Sequence, residues 1–235
     1  MKKVKQKRKG WFCALKRFLS LFIKKPKFVF AEKTVLNNSI FLCNHVGALA
    51  PLALELYAPF KFRFWGTFEM NSGLRSVYKY LSTVYFYRKK HFGKFRSKIT
   101  AFFSAPFLTL FYKGLNLIST YRDIRLKKTI KESEETINSG ENLVIFPEDS
   151  SNGYFDKLTH FYSGFVLLGK TCLKNGIDLD VFPAYYIKEK RVFTVGKPVK
   201  FSSLIENNTS KYDVADKMKD QVNALRTCYL KDLAS

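Results

Sequence analysis

The groups of this 235-residue chain best suited to proton transfer lie at the ends of two apolar runs. In the first, residues 39–43 are apolar and β-prone, residues 48–57 are rich in Ala and Leu, and Asn44-His45-Val46-Gly47 lies between them. That pattern predicts a strand, a turn and a helix, with His45 on the turn, where open α/β sheets place their ligands. In the second, residues 142–146 predict another buried strand, followed by Pro147-Glu148-Asp149-Ser150-Ser151-Asn152-Gly153. An imidazole at such a strand end can take a proton from a hydroxyl, and carboxylates beside it can order the group that carries the hydroxyl. On residue type alone, His45 is also open to a core role bonded to a carbonyl, and Asp149 to an Asx-turn or a helix N-cap.

Composition narrows what such a site would act on. Lys plus Arg number 41 against 19 Asp plus Glu, a formal net charge of +22, which calls for a polyanionic partner, either nucleic acid or an anionic lipid surface. The 24 Phe and 13 Tyr exceed what nucleic-acid binding needs and suit a surface that meets acyl chains. Anionic membrane lipids are therefore the expected partner, and no nucleic acid is expected. Cys13, Cys43, Cys172 and Cys228 show no Cys-x-x-Cys spacing, and His45, His91 and His160 are not paired at helical spacing. No metal site, organic cofactor or disulfide framework is expected, and a reducing compartment fits. Residues 99–112, interrupted by Pro106, are the nearest approach to a membrane span and fall short of one.

Residues 1–28 contain eleven Lys or Arg and no acid, interleaved with Trp11, Phe12, Leu15, Phe18 and Phe22 at helical spacing. Residues 1–30 therefore read as a basic amphipathic membrane-binding segment, and residues 31–235 as one α/β domain. Within it, residues 70–113 are dense in Tyr, Phe, Lys and Arg and read as a membrane-facing insertion of two or three helices. A strand or hairpin is expected at residues 27–36, and further strands at residues 61–67, 115–120, 180–187 and 191–195. Helices are expected at residues 123–139, capped by Gly140, at 159–174, with Gly164 and Gly169 allowing close packing, and at 212–233. This alternation implies a mixed, largely parallel sheet flanked by helices.

Taken in order, Asn44-His45, Phe146-Pro147-Glu148, Gly164, Phe182-Pro183 and Gly196-Lys197-Pro198 resemble the blocks of the glycerolipid (lysophosphatidic acid) acyltransferase family. The resemblance implies a glycerolipid-acyltransferase-like α/β fold on the cytoplasmic face of the cell membrane. It implies transfer of an acyl group from acyl carrier protein, acyl-CoA or acyl-phosphate to the hydroxyl of a lysophospholipid-like acceptor. In that reading His45 is the general base, Glu148 orders the acceptor, Asn44, Ser150 and Ser151 line its site, and Arg122, with Arg88 in reserve, binds its phosphate. The family's His-x4-Asp motif meets Ala50 here, and Asn116, Ser119 and Ser151 also depart from the family pattern. Asp149, an extra carboxylate after Phe-Pro-Glu, is the expected substitute for the missing Asp. Glu55 is not, since five further residues turn it by roughly 140° around the helix. The rival readings are a catalytically inactive lipid-binding relative and a basic nucleic-acid-binding protein.

Overall fold

The computed structural model describes residues 8–32, 36–151, 153–206 and 209–232, so Asn152 and the basic residues 1–7 lie outside it. Ser39–Cys43 (β2) is buried at every residue, as expected of a strand covered on both faces. It pairs in parallel with Asn142–Ile145 (β5) on one side and Asp180–Ile187 (β6) on the other. Phe62–Thr67 (β3) adds in parallel to β5, and Ile118–Thr120 (β4) in parallel to β3. Beyond β6, Val192–Val195 (β7) returns antiparallel, Lys27–Phe30 (β1) joins β7 in parallel, and Val199–Lys200 (β8) pairs antiparallel with β6. The sheet is thus mixed and largely parallel, in the order β1-β7-β6-β2-β5-β3-β4.

Side-chain alternation divides the core between the two faces. Ile40, Leu42, Leu143, Ile145 and Val181 pack beneath Leu126–Asn138 (α5), Gly164–Lys174 (α6), Phe201–Leu204 (α7) and Lys211–Asp232 (α8). Phe41, Cys43, Val144 and Phe182 pack against Gly10–Leu19 (α1), Leu49–Tyr57 (α2) and the end of Lys94–Leu115 (α4). Gly169 permits close packing, because a Cβ there would come within 2.2 Å of the Phe201 ring, whereas one on Gly164 would make an ordinary 3.6 Å contact with Trp65. Helix α6 begins later than expected, since the residues before it run alongside the Glu148 loop. Glu148 bridges Phe161, and the Tyr162 N–H donates to the Pro147 carbonyl at 2.7 Å.

The insertion forms three helical pieces: Leu74–Tyr80 (α3), a π-helix over Leu81–Lys89, and α4. Val77, Leu81, Ala101 and Ala105 give it a small core of its own.

The strand expected from residue 27 onward forms at the edge of the sheet, over residues 27–30. Helix α1 is also docked on the domain. Phe12 is fully buried and occupies a notch at Gly114, where a Cβ would come within 2.0 Å of its ring. The inaccessible Glu55 carboxylate accepts from Arg8 Nε and Nη2 at 3.1 and 2.9 Å and from Lys16 Nζ at 2.8 Å. A carboxylate so far from water is tolerated because both oxygens meet cations. Phe12→Ala is expected to cost about 3–5 kcal/mol by leaving the notch empty. Equilibrium denaturation checks this, and an unchanged midpoint would show that α1 is only loosely attached.

Candidate active site

The exits of β2 and β5 lie side by side because their residues are in register, Leu42 beside Ile145. Leaving β2, the chain turns through two successive positive φ angles, 32° at Val46 and 62° at Gly47. A β-branched residue in that region is strained, and such strain concentrates where a side chain must be aimed. The turn sets the His45 ring between Phe146, at a centroid distance of 4.7 Å, and Tyr154, at 5.3 Å. Among the described residues Nδ1 is buried with no hydrogen-bond partner. Burial, reinforced by the Lys89 charge, lowers the imidazole pKa to about 4, while backbone groups at Gly47 and His45 act in the opposite sense. The ring is therefore neutral at physiological pH.

Glu148 shares this dry environment. Burial raises its carboxyl to about 7, against the pull of the His45 backbone and the Lys89 charge, and Oε1 has no partner among the described residues. Lys89, at the end of the π-helix, donates to Ser150 Oγ at 2.7 Å and lies 5.6 Å from the Tyr154 ring centroid. Its own pKa is lowered by burial and by Arg122, with Glu148 and Asp149 opposing. A neutral imidazole, a carboxyl poised near neutrality and a partly desolvated ammonium thus face one locus, a combination common at functional sites.

The residues named from sequence separate into three groups. His45, Glu148 and the buried Ser150 share this locus, and Arg122 stands at its rim, stacked 5.0 Å from the Tyr162 ring centroid. Asn44 is fully buried, but its amide serves the sheet: Oδ1 accepts from the Tyr186 N–H at 2.7 Å and Nδ2 donates to the Tyr186 carbonyl at 3.1 Å. Ser151 and Arg88 are exposed.

The expected exchange of carboxylates is not formed. Asp149 accepts from the Ser151 N–H at 3.0 Å, an Asx-turn. Burial raises its pKa, but Ser151, Tyr162 and His160 outweigh this and hold the carboxyl below its usual value. No carboxylate bonds His45 Nδ1, and Ala50 is buried in the apolar core. Glu55 points to α1, as the helical geometry required. Lys89 and Tyr154 were missed. Arg88, one residue earlier, is the cation that the sequence points to, because no local pattern encodes the π-helix that aims Lys89. Among the described residues no group of three His, Cys, Asp or Glu is arranged to hold a metal ion.

No protein-family model matches the chain, and no curated protein sequence matches it. Its structure is similar to that of the 1-acyl-sn-glycerophosphate (LPA) acyltransferase PlsC from Thermotoga maritima, with a TM-score of 0.50 at 12% identity, over 92% of this chain and 78% of the other. At that identity the likeness is one of fold. The chain has an acyltransferase-like fold.

The shifts make opposite contributions to stability. Unfolded, His45 takes up its proton near 6.5, but folded only near 4, so this group's contribution is lost as pH falls through that interval. Glu148 ionises near 4.5 unfolded and about 7 folded, so its ionisation lowers stability as pH rises between those values. Glu148→Gln should therefore gain on the parent as pH rises through that range, in urea denaturation followed across pH. His45 should show no NMR inflection above pH about 5. An inflection near its ordinary pKa would mean that the ring is wet or paired.

Proposed function

We propose that the protein is a membrane-associated acyltransferase that moves an acyl group from a carrier thioester or acyl-phosphate to the hydroxyl of a lysophospholipid-like acceptor. The observation that carries this reading is the neutral His45 at the β2 exit, beside Glu148 and two cations, in an acyltransferase-like fold. With Nδ1 buried, Nε2 is the nitrogen left to meet the acceptor. The acceptor oxygen attacks the acyl carbonyl carbon as His45 takes its proton, and the departing thiolate or phosphate leaves as the new ester forms. Lys89 and Arg122 supply positive charge for the acceptor phosphate and for the negative charge that develops on the carbonyl oxygen. Glu148 near its pKa can accept from or donate to a polar group of the acceptor and so order it.

The unpartnered Nδ1 limits this base. Protonation at Nε2 leaves a buried Nδ1–H without an acceptor, which costs about 1–3 kcal/mol. Loss of the partner carboxylate in a Ser-His-Asp triad lowers rate on the order of 10⁴-fold, so slow turnover is expected. The same observation supports a second reading, a protein that keeps the fold and binds lysolipids without turnover.

Mass spectrometry of lipids after incubation with mixed acyl donors and lysolipids tests the proposal. New diacyl product is expected with the parent, and His45→Ala should reduce it by about 10²-fold or more. Product that persists unchanged in His45→Ala overturns the role of the ring, and no product with any donor favours the binding reading. Ala50→Asp, which restores a carboxylate in the first turn of α2, should then reveal turnover if the missing partner alone silences the site.

Lys89→Ala and Arg122→Ala are expected to raise KM for a phosphate-bearing acceptor about tenfold, with a smaller change for a phosphate-free one. Equal losses for both acceptors would make these residues structural.

A further inference from the structure

The excess charge of this chain is confined to two segments. Of the 41 Lys and Arg, 21 lie in residues 1–31 and 70–122, which contain no Asp or Glu. The rest of the chain carries 20 cations against all 19 acids and is nearly neutral. The same two segments hold twelve of the seventeen large apolar side chains that are exposed among the described residues. The segments touch, because Phe12 of α1 fills the notch at Gly114 of α4.

Helix α4 is built in the reverse of the usual sense. Along its first four turns the inward residues are small, Ser97, Ala101, Ala105 and Thr109, and only its last turn buries large ones, Phe111 and Leu115. Its exposed face carries Phe95, Ile99, Phe102, Phe103, Phe107 and Leu110 at spacings of one to four residues, with Phe95 79%, Phe102 67% and Phe103 75% accessible. A stripe of this kind is unfavourable against water, and monomeric proteins seldom expose one without a partner. The N-terminal segment, by contrast, exposes only Trp11, Phe18, Leu21 and Phe22 of its large apolar side chains, and turns Phe12, Arg8 and Lys16 inward to Gly114 and Glu55.

We infer that α4, rather than the N-terminal helix, is the main membrane contact: its aromatic face lies in the plane of an anionic bilayer while the cations around it meet lipid phosphates. Charge selects this occupant. A second copy would bring one acid-free surface against another, and nucleic acid would satisfy the cations but leave the Phe stripe in water. No described helix is long and apolar enough to cross a membrane, so the contact is interfacial. The inference is independent of whether His45 turns over substrate.

Vesicle sedimentation of the full chain tests it, with phosphatidylcholine vesicles that contain or lack phosphatidylglycerol. The parent should bind the anionic vesicles more tightly, and less so as salt rises. Phe102→Ser/Phe103→Ser should lower the partition coefficient about tenfold or more, while Tyr212→Ser, at an exposed tyrosine of α8, should not change it. Thermal unfolding of each variant confirms that the fold is kept. Unchanged binding by the double variant overturns the inference. So does a parent dimer, in light scattering, that the double variant abolishes, because the face would then cover a second copy. Acyl transfer to a detergent-dispersed acceptor, measured in parallel, keeps failure of the membrane surface distinct from failure of the proposed chemistry.

Discussion

The parallel pairing of β2 between β5 and β6 is the constraint on which the rest depends. Parallel neighbours exit at the same edge of a sheet, so His45 and Glu148, far apart in the chain, emerge together there. Two buried asparagine amides tie the ends of this arrangement. Asn142 accepts from the Ser39 N–H at 3.1 Å and donates to the Leu36 and Lys61 carbonyls, both at 2.8 Å, joining the entries of β2, β3 and β5. Asn44 does the same at the exit of β2 by gripping both backbone groups of Tyr186. Their interiors being dry, these amides gain directional hydrogen bonds where a mismatch would leave unpaired polar groups, which favours one register over its neighbours.

The dryness that secures the sheet also sets the charges at its edge. Burial lowers the pKa of His45 and Lys89 and raises that of Glu148, so each group is moved toward its neutral form. Lys89 and Glu148 partly reverse each other's shift, and Lys89 further disfavours a charged His45. The locus is consequently responsive to what enters it. An anionic group brought beside it would favour the protonated forms of all three groups.

Helix α1 connects this chemistry to the surface. Glu55 belongs to α2, the helix that begins just after the His45 turn, and it holds Arg8 and Lys16 of the N-terminal segment. Phe12 meanwhile reaches α4, which packs on the π-helix carrying Lys89. The segment from Arg8 to Leu19 is therefore a brace between the elements that position His45 and Lys89.

Much of this was legible in one dimension. Alternating apolar runs and amphipathic segments determined the strands and helices, since burial on two faces requires continuous apolar strands, as in residues 39–43. The strand-end positions of His45 and Glu148 followed from the same pattern, and the absence of acids from residues 70–122 is a property of the sequence alone. Only the tertiary structure decided what each polar group meets. Asp149 closes its own turn, Asn44 clamps a strand, and Glu55 faces α1, because partner choice among side chains distant in sequence depends on packing that no local period encodes. Lys89 displaced Arg88 for a related reason: the π-helix widens the turn and rotates the chain out of the α-helical register. Charge and apolar spacing marked residues 1–30 as an amphipathic segment and alternation marked a strand from residue 27, but where Phe12 and residues 27–30 dock was decided by a notch at Gly114 and an open edge of β7, which exist only once the chain has folded.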